Sequence, residues 1–138
     1  MLFIIDSNEY IFAFGSFKEC ATRTLLDQLL NRPKIHALRI PRTIFEEVKR
    51  NLSLEAFQEF NNFINKLTTV DEDIVVPFEV GIKYEAMRLK AADAFIASYT
   101  EWTSADVLVT ENRHFLKKSS DLPFKVLTAE ACLKMLIK

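Results

Sequence analysis

The chain has 138 residues, of which 49% are hydrophobic, so we expect one domain over residues 1–138 with a substantial core. Its net charge of −1 excludes a general electrostatic attraction to nucleic acid or anionic membranes, and any polyanion must bind through a local basic patch. The first residues lack the basic region of a signal peptide, and their apolar run is too short to span a membrane. Cys20 and Cys132 lack the spacing of a metal or redox site. We therefore expect two buried free thiols and a reducing, cytoplasmic location.

Apolar runs of strand length alternate with stretches of helical spacing along the chain. This alternation predicts βα units and a mostly parallel sheet. The predicted strands are Leu2–Ile5, His36–Ile40, Ile74–Val76, Val107–Val109 and Lys125–Leu127.

Capping residues mark where the intervening helices begin. The stretch from Phe78 to Trp102 predicts one helix or two. A capping box at Ser16 and Glu19 predicts the start of one helix, which should end before Pro33. Pro41 should open the next helix, and Ser53 and Thr128 should each cap the start of another.

The first predicted strand ends in a carboxylate. Residues 2–5 are all apolar, which is typical of a strand buried on both faces of a parallel sheet. Asp6 follows directly, so it should lie at the carboxyl edge of the sheet, where open α/β folds place their binding sites.

Two other acids stand beside apolar patterns. Asp93 has small or apolar neighbours, and a buried carboxylate is costly unless it is paired or bound to a metal. The alternatives to a metal ligand are an exposed Asp at a helix start and a structural ion pair. On the helix after Pro41, Glu47 falls beside the apolar stripe of Ile44 and Val48, whereas Glu46 points away. Glu47 is the better candidate, with a solvated Glu-Glu pair as the open alternative.

The fourth predicted strand is followed by Thr110-Glu111-Asn112. Glu111 or Asn112 could add an oxygen ligand and Thr110 a hydroxyl, although a turn signal explains Asn112 equally well. Several oxygen-bearing side chains at one edge, without a Cys/His cluster, suit Mg²⁺ or Mn²⁺. Such ions usually act on phosphates. His36 and His114 form no obvious catalytic set, and we expect both to be structural or on the surface.

Four segments in this order resemble the PIN domain, a family of small metal-dependent ribonucleases that includes the toxin subunits of VapBC toxin-antitoxin pairs. The similarity spans essentially the whole chain. It implies a three-layer α/β/α sandwich around a short, mainly parallel sheet of four or five strands. The segments are Ile5-Asp6-Ser7-Asn8, Phe45-Glu46-Glu47-Val48, residues 90–97 around Asp93, and residues 105–115 around Thr110.

The resemblance also implies roles for individual residues. Asp6, Glu47 and Asp93 would form the acidic metal site, and Asn8 and Thr110 would support the carboxylates through hydrogen bonds. The family usually has an acid two positions after the Thr, and here that position is Asn112.

A neutral residue at position 112 should weaken the second of two metal positions most. Glu111 could compensate, or Asn112 could hold a metal-bound water through its amide oxygen. Activity could then depend on one ion or on a high metal concentration.

The leading hypothesis is a metal-dependent endoribonuclease in which an activated water attacks an RNA backbone phosphate. The resemblance adds a small antitoxin protein as a partner. A PIN-like RNA- or protein-binding module with a decayed metal site is the main rival, and Asn112 favours it. A phosphatase using Asp6 as nucleophile is a second rival, which the lack of an Asp at position 8 disfavours. The foremost candidates for guiding RNA phosphates are Arg42, Lys90 and Arg113. The further candidates are Arg39, Lys49, Arg50, Arg88, Lys117 and Lys118.

The segment from Tyr10 to Phe17 is unusually aromatic. Core packing accounts for it, but any exposed part would form a hydrophobic patch suited to a second copy of the chain or to an antitoxin helix. A homodimer is therefore a further expectation.

Overall fold

The computed structural model describes residues 1–15 and 20–137 and contains one five-stranded parallel sheet. The strands are β1 (Leu2–Ile5), β2 (Ala37–Pro41), β3 (Val70–Asp71), β4 (Val107–Val109) and β5 (Lys125–Leu127). They lie in the order β3-β2-β1-β4-β5. The wholly apolar β1 is therefore the central strand, as its composition predicts.

The helices of the described residues pack in two groups around the sheet. They are α1 (Ser7–Phe14), α2 (Ala21–Asn31), α3 (Arg42–Asn51), α4 (Leu54–Leu67), α5 (Phe78–Ala86), α6 (Ala91–Trp102), α7 (Arg113–Lys117) and α8 (Ala129–Ile137). Helix α1 packs against α2, α3 and α4, α2 packs against α8, and α5 packs against α6. The architecture is the predicted three-layer α/β/α sandwich around a short parallel sheet.

The prediction of the third strand at Ile74–Val76 is wrong. The strand is Val70–Asp71, and Asp73–Val75 form a 3-10 turn in which Ile74 is 91% exposed. A short apolar run has the same pattern whether it enters a sheet or turns outward. Backbone pairing with β2 ends at Asp71, and the chain turns away from the sheet after that residue.

Most predicted helix starts agree with the structure to within one residue. The hydroxyls of Ser53 and Thr128 each accept a backbone N–H of the following turn, at 3.1 Å in both cases. Pro41 is the last residue of β2, and α3 begins immediately after it. The predicted capping box at Ser16 and Glu19 lies outside the described residues.

The stretch from Phe78 to Trp102 forms two helices. Between them Arg88 adopts a φ of 65°, a left-handed conformation that is uncommon for a long side chain. Its backbone N–H donates to the carbonyl of Glu85 at 3.0 Å, so Arg88 closes the end of α5 where glycine is the usual residue.

The aromatic segment after β1 contributes mainly to the core. Tyr10 and Phe14 are buried and pack edge-on against Phe60, whereas Phe12 is 41% exposed. Phe17 lies outside the described residues.

The two cysteines differ in burial. Both are free thiols; Cys132 is buried and Cys20 is only half-buried, so the prediction of two buried thiols is correct for Cys132 alone. Burial raises the pKa of Cys132 to about 11, which keeps this thiol protonated and unreactive at neutral pH.

A polar network fastens the edge of the sheet to α6. The Asp71 carboxylate accepts from the buried Tyr99 hydroxyl at 2.6 Å and from Arg39 Nε at 2.9 Å. Burial raises the pKa of Asp71, but the hydrogen bonds from Arg39 and Tyr99 outweigh burial and hold it below its usual value.

Replacing Asp71 with asparagine should lower the free energy of unfolding by about 1 to 3 kcal/mol, because the buried Tyr99 hydroxyl and the Arg39 guanidinium exchange a charged acceptor for a neutral amide oxygen. Urea unfolding monitored by circular dichroism would measure the change. The exposed Asp27→Asn in α2 is the control. A midpoint for Asp71→Asn equal to that of wild type would show that the network adds nothing to stability.

Candidate active site

Asp6 is held at the carboxyl edge of the sheet by both central strands. Its backbone N–H donates to the carbonyl of Val109, the last residue of β4, at 2.9 Å. Its Oδ1 accepts the Ser7 N–H at 2.8 Å, which caps α1, and its Oδ2 accepts the Thr110 hydroxyl at 2.8 Å. Thr110 is fully buried, so the position of the carboxylate is determined by the interior of the fold.

The electrostatic environment of Asp6 identifies its neighbours. Burial raises the pKa of Asp6, hydrogen bonds from Thr110 and Ser7 lower it, and the negative charges of Asp93 and Glu47 raise it again. The net effect is a raised pKa. The fold thus brings the three predicted acids into one mutually repulsive group, which we call the carboxylate cluster (Asp6, Glu47, Asp93).

The two glutamates of α3 have different surroundings. Glu46 lies 3.7 Å from Arg42, one turn earlier on the same exposed helix face. Glu47 is half-buried and contributes to the electric field at Asp6. The helical-wheel argument that preferred Glu47 agrees with this placement.

Asp93 lies in the first turn of α6 and is half-buried. The buried part of this helix begins at Ala94, while Ala91 and Ala92 are exposed. Asp93 is therefore neither enclosed in the core nor fully exposed at the helix start, and its carboxylate lies close enough to Asp6 for its charge to act there.

Asn112 contacts Asp93 as a hydrogen-bond donor. Its Nδ2 lies 3.4 and 3.5 Å from the two Asp93 oxygens. Its Oδ1 accepts the N–H of His114 at 2.9 Å, and its backbone N–H donates to the Thr110 hydroxyl at 3.0 Å. The amide oxygen, which one of the two alternatives assigned to a metal-bound water, caps α7 instead.

The carboxylate cluster has the donor chemistry of a hard-cation site. Its ligating atoms are all carboxylate oxygens, and a bound Mg²⁺ or Mn²⁺ would offset both the burial of Asp6 and the repulsion from its neighbours. Within residues 1–15 and 20–137, no three His, Cys, Asp or Glu side chains are arranged to hold an ion. Glu47 and Asp93 are only half-buried, so rotation of their side chains could bring their oxygens closer to Asp6. Metal binding by these three acids stays a prediction.

The fold has a close structural counterpart. The chain is similar to a chain of VapBC2 from Rickettsia felis, solved bound to a DNA fragment from their promoter, with a TM-score of 0.62 and 18% sequence identity. The match covers 92% of this chain and 97% of that chain. No protein-family model and no curated protein matches the sequence.

The chain has a PIN-like fold. This agrees with the resemblance found in the sequence, whose motifs lie at the carboxyl ends of β1, β2 and β4 and at the start of α6. The PIN-like domain has no helix among its described residues that is long and apolar enough to cross a membrane.

Two residues that the PIN resemblance implicated lie apart from the carboxylate cluster. Asn8 is exposed, and in the described structure it forms no hydrogen bond with the acids; Ser7 is the residue of α1 that contacts Asp6. Glu111 accepts the backbone N–H of Ala129 at the start of α8, and the negative charge of Glu130 acts on it. Glu111 therefore faces the opposite side of β4 from Asp93.

Glu9 was not among the residues predicted from the sequence, and it is only 1% exposed. Its Oε2 accepts the Thr22 hydroxyl, and its Oε1 has no hydrogen-bond partner within the described structure. Its pKa is raised to about 7, because burial and the charges of Glu111 and Asp6 outweigh the opposing effect of the Thr22 hydrogen bond. The sequence pattern that could have identified Glu9 is its position three residues after Asp6, which is the spacing of a capping box. The Asp6 N–H is bonded to β4 instead, so Glu9 turns toward α2.

The two histidines have no part in the carboxylate cluster. His36 immediately precedes β2 and packs edge-on against Phe3, with ring centroids 5.6 Å apart, at the amino end of the sheet. His114 is exposed on α7.

Proposed function

We propose that this PIN-like domain is a metal-dependent endoribonuclease that cleaves RNA phosphodiester bonds. The observation that carries the proposal is the convergence of Asp6, Glu47 and Asp93 at the carboxyl edge of the sheet, with the charges of the other two acids raising the pKa of Asp6. A carboxylate whose ionised form is disfavoured by burial and by two neighbouring acids, as that of Asp6 is, is typical of a cation site.

The bound ion would supply an activated water and would stabilise charge on the phosphoryl oxygens. The chain supplies the positions of the ligands. Thr110 and Ser7 hold one oxygen each of Asp6, which leaves a further lone pair on each oxygen for the ion. Glu47 and Asp93 approach from two different helices, so the site is assembled only when α3 and α6 are packed on the sheet.

Asn112 is the observation that favours the alternative, a PIN-like RNA- or protein-binding module. Its amide donates to Asp93 and so competes with a cation for those oxygens. We expect the ribonuclease to use one ion and to need a millimolar concentration of Mn²⁺, because a neutral amide is a weaker ligand than a fourth carboxylate.

A small antitoxin is the proposed protein partner, by analogy with the structurally similar VapBC2. The domain carries exposed apolar side chains around a cavity of about 240 Å³ beside α5. Phe78 and Ile82 line the cavity and are 80% and 50% exposed, and Ile74, next to the lining residue Asp73, is 91% exposed. An amphipathic segment of an antitoxin or of a second copy of this chain would cover such a surface. RNA as substrate, a homodimer and a cytoplasmic location all stay predictions.

The adjacent glutamates of α3 provide a matched test of the proposed site. Glu47→Gln should lower Mn²⁺-dependent cleavage of an unstructured RNA at least about 10-fold, because loss of even a residue that only positions a ligand costs 10- to 100-fold. Glu46→Gln should keep wild-type activity, since Glu46 is paired with Arg42 on the exposed face. Gel assays with and without EDTA would measure both. Equal loss in the two variants, or in neither, would contradict the assignment of Glu47.

A further inference from the structure

The cations around the carboxylate cluster fall into two groups. At the carboxyl end of β2 they are bound by acids: Arg39 Nη2 lies 2.8 Å from Asp71, and Arg42 Nη2 lies 2.8 Å from Glu72. Arg42 is also close to Glu46. Next to the carboxylate cluster on this side, Arg39 and Arg42 are therefore offset by Asp71, Glu72 and Glu46. The exposed Lys49 and Arg50 lie further along α3, in its last turn.

On the α7 side four cations are exposed and form no ion pair with any residue of the described ranges. We call them the basic strip. They lie on two segments, one linking α5 to α6 and the other forming α7. The four are Arg88, Lys90, Arg113 and Lys117.

Two contacts place these segments side by side. At one end, Asn112 Nδ2 lies 3.4 Å from the Asp93 carboxylate. At the other end, Lys118 Nζ donates to the carbonyl of Met87 at 3.0 Å. The segments 87–93 and 112–118 therefore run in opposite directions. The basic strip begins beside Asp93 and leads away from the carboxylate cluster over about 9 Å, the rise of six helical residues.

Arg88 has a backbone conformation that usually belongs to glycine. The left-handed φ of 65° is adopted by glycine without cost, whereas an arginine is strained there. An exposed arginine at this position gives the chain nothing in core packing, but it adds a fixed positive charge to the basic strip.

We propose that the basic strip is the path along which single-stranded RNA leaves the carboxylate cluster. This inference rests on the proposed ribonuclease function. An RNA whose scissile phosphate lies at Asp6 must continue across one side of the site or the other. On the β2 side its phosphates would meet Glu46 and Glu72, while on the α7 side they meet four unpaired cations. Electrostatic repulsion and attraction both favour the α7 side, so Lys90 and Arg113 bind phosphate whereas Arg42 does not.

The test is the binding of a fluorescein-labelled 12-nucleotide RNA to the full chain in EDTA, over a series of salt concentrations. Each lost phosphate contact should reduce the slope of log K against log salt by about 0.7. Arg88→Gly and Lys117→Gln should each weaken binding about 3- to 10-fold, and Arg88→Gly should melt at the same or a higher temperature than wild type because glycine relieves the strained φ. Lys125→Gln, at the amino end of β5, is the control and should bind as wild type.

Several results would overturn the proposal. One is wild-type affinity and salt slope in both strip variants, and another is a larger loss for Arg42→Gln than for Arg88→Gly. If the strip variants lose binding to polyglutamate but keep their affinity for RNA, the strip binds an acidic protein segment instead. Weakened RNA binding in a protein that cleaves nothing with Mn²⁺ would support the strip while contradicting the ribonuclease function, so the two failures are distinguishable.

Discussion

Asp6→Asn should lower Mn²⁺-dependent RNA cleavage at least about 100-fold without unfolding the protein. The negative charges of Glu47 and Asp93 both act on Asp6. A neutral amide at position 6 cannot balance the charge of the ion. The fold should tolerate the change because burial and the neighbouring acids already disfavour the ionised form of Asp6. The amide oxygen can still accept the Ser7 N–H that caps α1.

Three measurements would separate lost chemistry from lost structure. Circular dichroism should show a wild-type thermal midpoint or a small change for Asp6→Asn. Calorimetry should show Mn²⁺ binding to wild type and none to the variant. Asp121→Asn, an exposed acid after α7, is the control for both cleavage and metal binding. Cleavage by purified Asp6→Asn at the wild-type rate would show that the activity does not use this site.

Between pH 5 and pH 8 the free energy of unfolding of wild type should fall by about 2 kcal/mol more than that of Glu9→Gln. The pKa of Glu9 is about 7 in the folded protein, against an ordinary value of 4.5, so the folded state binds its proton more tightly than the unfolded state. The stability that this proton provides is complete below about pH 4.5, and it is lost as the pH rises to about 7.

Urea unfolding at pH 5 and pH 8 would measure this contribution. Wild type should lose more free energy of unfolding over the interval than Glu9→Gln, and Glu55→Gln, an exposed acid at the start of α4, should behave like wild type. Parallel pH profiles for wild type and Glu9→Gln would mean that Glu9 is ionised in the folded protein at pH 5.

Element order, and therefore the fold class, could be predicted from local patterns. The apolar composition of β1 is enough to place it inside a parallel sheet, because a strand with no polar face cannot border solvent. The third strand could not be placed, since Val70–Asp71 is only two residues long and is a strand solely because β2 lies beside it. Its apolar neighbour Ile74 was mistaken for strand because hydrophobicity by itself does not report burial.

The candidate site was predictable where a residue follows a strand. Asp6 and Thr110 each come one residue after a central strand, and parallel strands present such residues at one edge. Glu47 followed from helical periodicity once its strand was assigned. The sequence could not predict which acids lie close enough to repel one another. Asp93 and Glu111 are both near strand or helix ends, and only packing shows that Asp93 faces Asp6 while Glu111 faces α8.

By itself the sequence determined the parallel α/β architecture and the acids at its carboxyl edge, since strand composition and helical spacing are properties of neighbouring residues. Only the tertiary structure decided the partners of the polar groups. It turned Asn112 into a hydrogen-bond donor to Asp93, buried Glu9 against Thr22, and paired Arg42 with Glu72, while Arg113 forms no ion pair within residues 1–15 and 20–137. Hydrogen bonds, ion pairs and burial depend on groups distant in sequence, and folding is what brings those groups together.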